Sequence, residues 1–248
     1  MADKSAHTDA RAALISLVEL SQAREETFRA ELSQTERNLV GTAEQWAPKE
    51  VIAHLGYWKH RQVARIEAMA RGEEPAEGPD WGQLNTETWP EHARLTWDES
   101  VARSDQATRD LIAALQRLPQ ETLANLDDQA SQGNLLIDTT LGNSLGHLAE
   151  HMANHYRSLG DTERATQTQQ EAVQAIIRAN LGPSHEGSAR YNLACYYALH
   201  GQASDAIDEL RAAFAQRPDL IPWARQDHDL DSLRAEPAYQ ALIPAEDA

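Results

Sequence analysis

Along the first two thirds of the chain, apolar residues recur three and four positions apart, the interval that lines one face of a helix. After Thr8-Asp9, the stretch ARAALISLVELSQAREETFRAEL puts Leu14, Leu17, Val18 and Phe28 on that spacing and predicts a helix over about residues 10–32. SQTERNLVGTAEQW reads as a connection. A second helix opens in APKEVIAHLGYWKHRQVARIEAMARG, with Pro48 in its first turn, Glu50 at its positive end and Gly72 as its stop. EEPAEGPDWGQLNTETWPEHARL, rich in Pro, Gly and acid, predicts a long loop of the functional or mobile kind. Helical spacing returns from Trp97-Asp98 through Val101, Leu111, Leu115 and Leu118, and Pro119 closes it. DDQASQGN is a second polar connection, after which Asp138 is expected to cap a helix running TTLGNSLGHLAEHMANHYRSL. Four long helices in about 160 residues are most simply a four-helix bundle.

The pattern then changes in kind. GDTERATQTQQEAVQAIIRANLG predicts a helix, PSHEG a break, and SARYNLACYYALHG with ASDAIDELRAAFAQRP two helices more. Gly160, Ala165 and Ala172 recur 41 positions later as Gly201, Ala206 and Ala213, and Met152, Ala153 and Tyr156 recur as Leu193, Ala194 and Tyr197. Small residues at fixed places let paired helices approach, large ones fill the groove, and the glycines turn the chain. Leu193, Ala194, Tyr197, Gly201, Ala206, Ala213 and Pro218 together resemble the tetratricopeptide repeat. The linker LGPSHEGSARYNLA resembles the longer-period form found in kinesin light chains, and PWARQDHDLDSLRAEPAYQAL resembles a capping tail. Leu210 departs from the usual aromatic, and the first copy is weaker, with Gln169 in that place. The expected division is a bundle over residues 1–160 and a repeat module over 161–248, with the first repeat helix shared over 150–160. Two repeats are too few to stand alone, so they are expected to lean on the bundle, and their unfinished edge leaves a homodimer open.

Composition supports helix. Leu and Ala dominate the apolar set, and there are two Phe in 248 residues. With 39 acidic against 22 basic residues the formal charge is −17, which opposes nucleic acid and anionic lipid as partners. A single cysteine, Cys195, allows no internal disulfide and fits a reducing cytoplasm. Within YNLACYYAL it reads as a small core residue rather than a nucleophile. Neither a signal peptide nor a membrane span is read, so the expectation is a cytoplasmic protein.

The candidate chemistry lies in GHLAEHMANHYRSLG, where His147, His151 and His155 follow one another four residues apart. Four residues advance a helix by about 6 Å and a net ~40°, so neighbours in such a series can share one ion; His147 and His155, about 12 Å apart, cannot. His151 belongs to either pair. His54 stands in the otherwise apolar WAPKEVIAHLGYW. That segment, with histidines four apart on the last helix, resembles the DinB-like superfamily of damage-inducible four-helix proteins over residues 10–160.

The resemblance implies His54 as one metal ligand and a His-x3-His pair as the others. NSLGHLAEH resembles a form that favours His147 with His151, which is the preferred pair, while HMANHYRSLG resembles another that would take His151 with the alternative His155 but lacks the usual Gly-Gln. It further implies zinc, nickel or iron as the cofactor. Activities in the family include thiol-dependent transfer or isomerisation with small thiols and, in the ClbS/DfsB branch, opening of strained rings; several members have no known activity. Three protein ligands leave positions open for water or substrate, as in catalytic sites. Glu150 is a candidate base or partner of a ligand histidine, or a solvated helix residue. His60 is expected on the surface, His92 in the loop as a lid residue or without a role, and Trp58, Trp81 and Trp89 as apolar walls. The alternative function is a non-enzymatic scaffold whose repeat face takes a peptide or protein and whose histidines are structural.

Overall fold

In the computed structural model of the chain, residues 4–73, 81–123 and 132–243 are described, and among them there is helix and no strand. They divide into two compact units, Met1–Thr168 and Gln169–Ala248.

The first unit is built on α1 (Lys4–Glu31), α2 (Gln34–Asn38), α3 (Pro48–Ala70), α4 (Trp81–Arg94), α5 (Trp97–Arg117), α6 (Gln132–Leu141), a π-turn (Gly142–Gly146) and α7 (His147–Ser158). Local chemistry starts each long helix. At α3, Pro48 takes the first turn and the Glu50 carboxylate, fully buried, accepts the amides of Ala47 (2.6 Å) and Gly41 (3.0 Å). At α5, Thr96 and Glu99 exchange side-chain-to-backbone bonds in a capping box.

α3 packs along α5, and α1 packs on α5 and on the π-turn, enclosing Leu14, Phe28, Ile52, Leu55, Leu111, Leu115, Leu136 and Leu145. Gly56 permits the closest approach, since a Cβ there would lie 3.0 Å from the Ser104 Cα. Beside it runs a buried polar seam. The Lys59 Nζ donates to Glu25 (2.6 Å), Ser104 (3.0 Å) and Thr108 (3.1 Å), tying α3 to α1 and α5. Every polar atom of a buried ion pair left unmatched is costly, and here the hydroxyls complete the match.

Three sequence expectations are corrected. The long loop is helical over Trp81–Arg94, with residues 74–80 outside the described residues. Tertiary contacts hold this helix despite Pro90: Lys49 of α3 donates to the Ala93 carbonyl (2.9 Å) and Arg103 of α5 pairs with Glu91 (2.6 Å). Asp138 is not a cap, because α6 already begins at Gln132; most of DDQASQGN lies outside the described residues. PSHEG is no break but the first turn of the next helix, and the break is Gly182, at φ +118°.

Further helices are α8 (Thr162–Ala179), α9 (Pro183–Leu199) and α10 (Ala203–Gln216), and the unit division falls within α8. In the second unit α9 and α10 form a hairpin, and the 3₁₀ segment His228–Leu233 packs on α9. The turns that follow α7 and α9 use the same chemistry 41 residues apart. Gly160 and Gly201 adopt φ +82° and +74°. The amides of Asp161 and Gln202 each reach back 2.9 Å to the carbonyls of Tyr156 and Tyr197. Ala153, Tyr156, Ala165 and Ala172 are buried, as are their counterparts Ala194, Tyr197, Ala206 and Ala213.

Candidate metal centre

α3 and α7 bring three imidazoles together. His54 Nε2 lies 3.0 Å from His147 Nε2, and His151 Nε2 lies 3.1 Å from the same atom. The ligand nitrogens of all three fall within 4.8 Å of one another. His54 is 1% exposed, while His147 and His151 are half-buried. Burial, then the neighbouring imidazoles His147 and His151, drives the His54 pKa far below its ordinary value. Burial, followed by His151 and Lys59, lowers His147 to about 3; burial alone lowers His151 to about 4. All three rings are therefore neutral near pH 7, the state in which imidazole ligates a metal.

The donor set fits a metal ion. A neutral imidazole nitrogen carries either one proton or one lone pair, so His147 Nε2 can satisfy only one of the two nitrogens that face it. Two nitrogens each 2.0–2.1 Å from one ion and 90–109° apart are separated by about 2.9–3.4 Å, and both observed separations fall in that range. His54 Nδ1 is buried without an acceptor, so its ring is held by packing. Trp46 stands edge-on at 4.4 Å and Trp58 at 6.1 Å.

A cavity of about 790 Å³ opens on the centre. His54 and His151 line it with Phe28, Trp46, Asn85 and Asn154, a chamber of mixed apolar and polar lining, of the size of small-molecule sites. Among the described residues its charged lining is Glu36 and Glu44, with no Lys or Arg. Hydrogen bonds from Ser33 hold the Glu36 carboxyl below its usual range.

The remaining candidates fall elsewhere. His155 is not in the cluster; it stacks edge-on against Phe28 (5.1 Å) with Nε2 3.9 Å from Glu36. Glu150 is exposed on α7 and does not line the cavity. His60 is exposed. Trp58, Trp81 and Trp89 do not line this cavity; Trp58 is buried behind His54 and stacks on the exposed Trp81 at 4.5 Å. His92 is a helical residue, not a loop residue. It is 3% exposed, 6.1 Å from the His54 ring, with neither ring nitrogen partnered. Nothing in its local sequence signals that position, whereas Trp46 could have been found, since it stands eight residues before His54 in the quoted motif.

Among the described residues, no helix is long and apolar enough to cross a membrane. No curated protein and no solved structure matches the chain. The sequence does match the DinB superfamily over residues 7–159. Members of that family generally bind a divalent metal, and the match spans α1, the three histidines and the end of α7. The chain belongs to the DinB superfamily.

Proposed function

We propose that this protein is a metal-dependent DinB-type four-helix protein that binds one divalent ion through His54, His147 and His151. In this reading it acts on small reactive electrophiles, by transfer to a small thiol or by hydrolysis. The observation that carries it is the convergence of three neutral imidazole nitrogens, of which His54 and His151 stand at the wall of a ligand-sized cavity. Bound there, a zinc, nickel or iron ion supplies a water acidified towards pKa ~7 or a thiol held as thiolate. The chain's own residues do the rest. Trp46 and Phe28 give a guest an apolar wall and keep bulk water from it. Asn85 and Asn154 offer amides for its polar groups, and ionised Glu36 repels a second negative charge. The preferred thiols and electrophiles are therefore uncharged or cationic.

Three two-carbon thiols that differ only in head-group charge test this on cobalt-substituted protein: thiocholine, 2-mercaptoethanol and 2-mercaptoethanesulfonate. The expected result is a sulfur-to-cobalt charge-transfer band, with affinity per thiolate falling in that order. Cobalt-loaded protein that shows no band with any of them contradicts the thiol reading.

The 41-residue correspondence favours a second element of function. We infer that the segment around residues 150–218 is a tetratricopeptide-like pair, joined to a bundle that occupies residues 1–160, and that its face takes a protein or peptide. The identical turns after Tyr156 and Tyr197 support this.

A further inference from the structure

His147 is the first residue of α7, and the turn immediately before it is not α-helical. Gly142–Gly146 is a π-turn, which inserts one extra residue into a turn of helix. One residue is worth about 100° of rotation, so the turn sets how the face of α6 is aligned with the His147–His151 face of α7. Such an insertion weakens the regular backbone ladder and persists where something else holds it.

What holds it is Gln62 of α3. This side chain is 1% exposed. Its amide nitrogen donates to Thr140 Oγ1 (2.8 Å) and Thr139 Oγ1 (3.1 Å) at the end of α6. Its carbonyl oxygen accepts from Asn143 Nδ2 (3.1 Å), inside the π-turn itself. Ser144 Oγ adds a bond to the Thr140 carbonyl (2.5 Å) across the same turn.

The two helices therefore meet at two rungs. One is His54 to His147 and the other is Gln62 to Thr140 and Asn143. His54 and Gln62 are eight positions apart, about 12 Å along α3; Thr140 and His147 are seven apart, about 10 Å along their helix in the opposite sense. Two rungs at that spacing on antiparallel helices fix both their sliding and their rotation. With the Gln62 rung gone, the π-turn can relax towards α-helix and carry α6 or the histidine face out of alignment.

We propose that Gln62 is a positioning residue for the metal centre, clamping the π-turn at Gly142–Gly146 so that His147 meets His54 in the ligating register. The proposal rests on the metal reading above. It concerns how the site is assembled and assigns Gln62 no contact with substrate.

The test is cobalt and zinc affinity of the full chain, measured by competition with a chromophoric chelator, with the cobalt d–d spectrum as a second readout. Gln62→Leu keeps the bulk and removes both ends of the clamp. Asn143→Ala removes one bond of it, and Leu111→Ala destabilises the same unit while leaving every bond of the clamp in place. The expected result is metal affinity 10–100-fold weaker in Gln62→Leu with an altered cobalt spectrum. Asn143→Ala should change both in the same direction, while Leu111→Ala should melt earlier with wild-type affinity and spectrum. If Gln62→Leu does not fold, Asn143→Ala and Thr140→Val carry the test. Wild-type affinity and spectrum in the folded clamp variants would overturn the proposal alone. A wild-type protein that takes up neither metal would overturn the metal reading and this proposal with it.

Discussion

Three imidazole nitrogens within 3.1 Å of a neighbour cannot take up protons without placing like charges together in a buried site. In the unfolded chain these rings protonate near pH 6.5, but in the fold His147 and His151 resist down to about 3 and 4. The depressed folded value means that acid favours the unfolded state. The stability of metal-free protein is then full above about pH 7 and declines as the pH drops from about 6.5 to 5, by on the order of 2 kcal/mol per histidine. Urea unfolding of the apoprotein between pH 7.5 and 5 measures it. His151→Gln should make the decline shallower, and an unchanged slope would remove this ring from the explanation. At the same scale Cys195 is inert: burial, then the charge of Asp227, holds its thiol well above the ordinary value. Native protein is expected to resist iodoacetamide at pH 8 over hours, and to react promptly once unfolded.

At the scale of elements, the seam between α1, α3 and α5 should be the most sensitive place in the first unit. Lys59→Met leaves the buried Glu25 with only the Ser104 hydroxyl (2.7 Å) and the more distant Arg29 (3.6 Å), and is expected to cost about 3 kcal/mol in chemical denaturation. The double variant Lys59→Met/Glu25→Leu should recover most of that. Gly201→Ala, at φ +74°, should cost about 1 kcal/mol, and Gly160→Ala about the same if the two turns are equivalent.

These elements were unequally legible in the sequence. α3 is written in Pro48, Glu50, an apolar run and Gly72, which together mark both of its ends. α4 was hidden because Pro90 and the glycines nearby signal loop, while the Lys49 and Glu91 contacts that hold it are long-range. The π-turn was invisible, since apolar spacing on either side of one inserted residue still looks helical. The histidine spacing narrowed the ligands but could not choose between two overlapping pairs. The pairing with His54 rested on family resemblance, because nothing in local periodicity says which residues of two helices will face each other.

At the scale of the whole molecule, the formal charge of −17 and the Glu36 and Glu44 carboxylates at the cavity act in the same direction, raising the local concentration of cations and excluding anions. A bound ion should also be visible in global stability. Metal at a thousand times its dissociation constant adds about 4 kcal/mol to unfolding, so EDTA should lower the melting temperature and zinc restore it. A scaffold with structural histidines would be indifferent to both.

The central claim is that His54, His147 and His151 form one metal site. Elemental mass spectrometry of untagged protein, beside His54→Ala and His151→Ala, tests it most directly. The expected result is about one metal ion per chain in the wild type, lost in both variants whose folded helix content is retained. Wild-type protein free of metal even after reconstitution, or variants that keep the full complement, would contradict it.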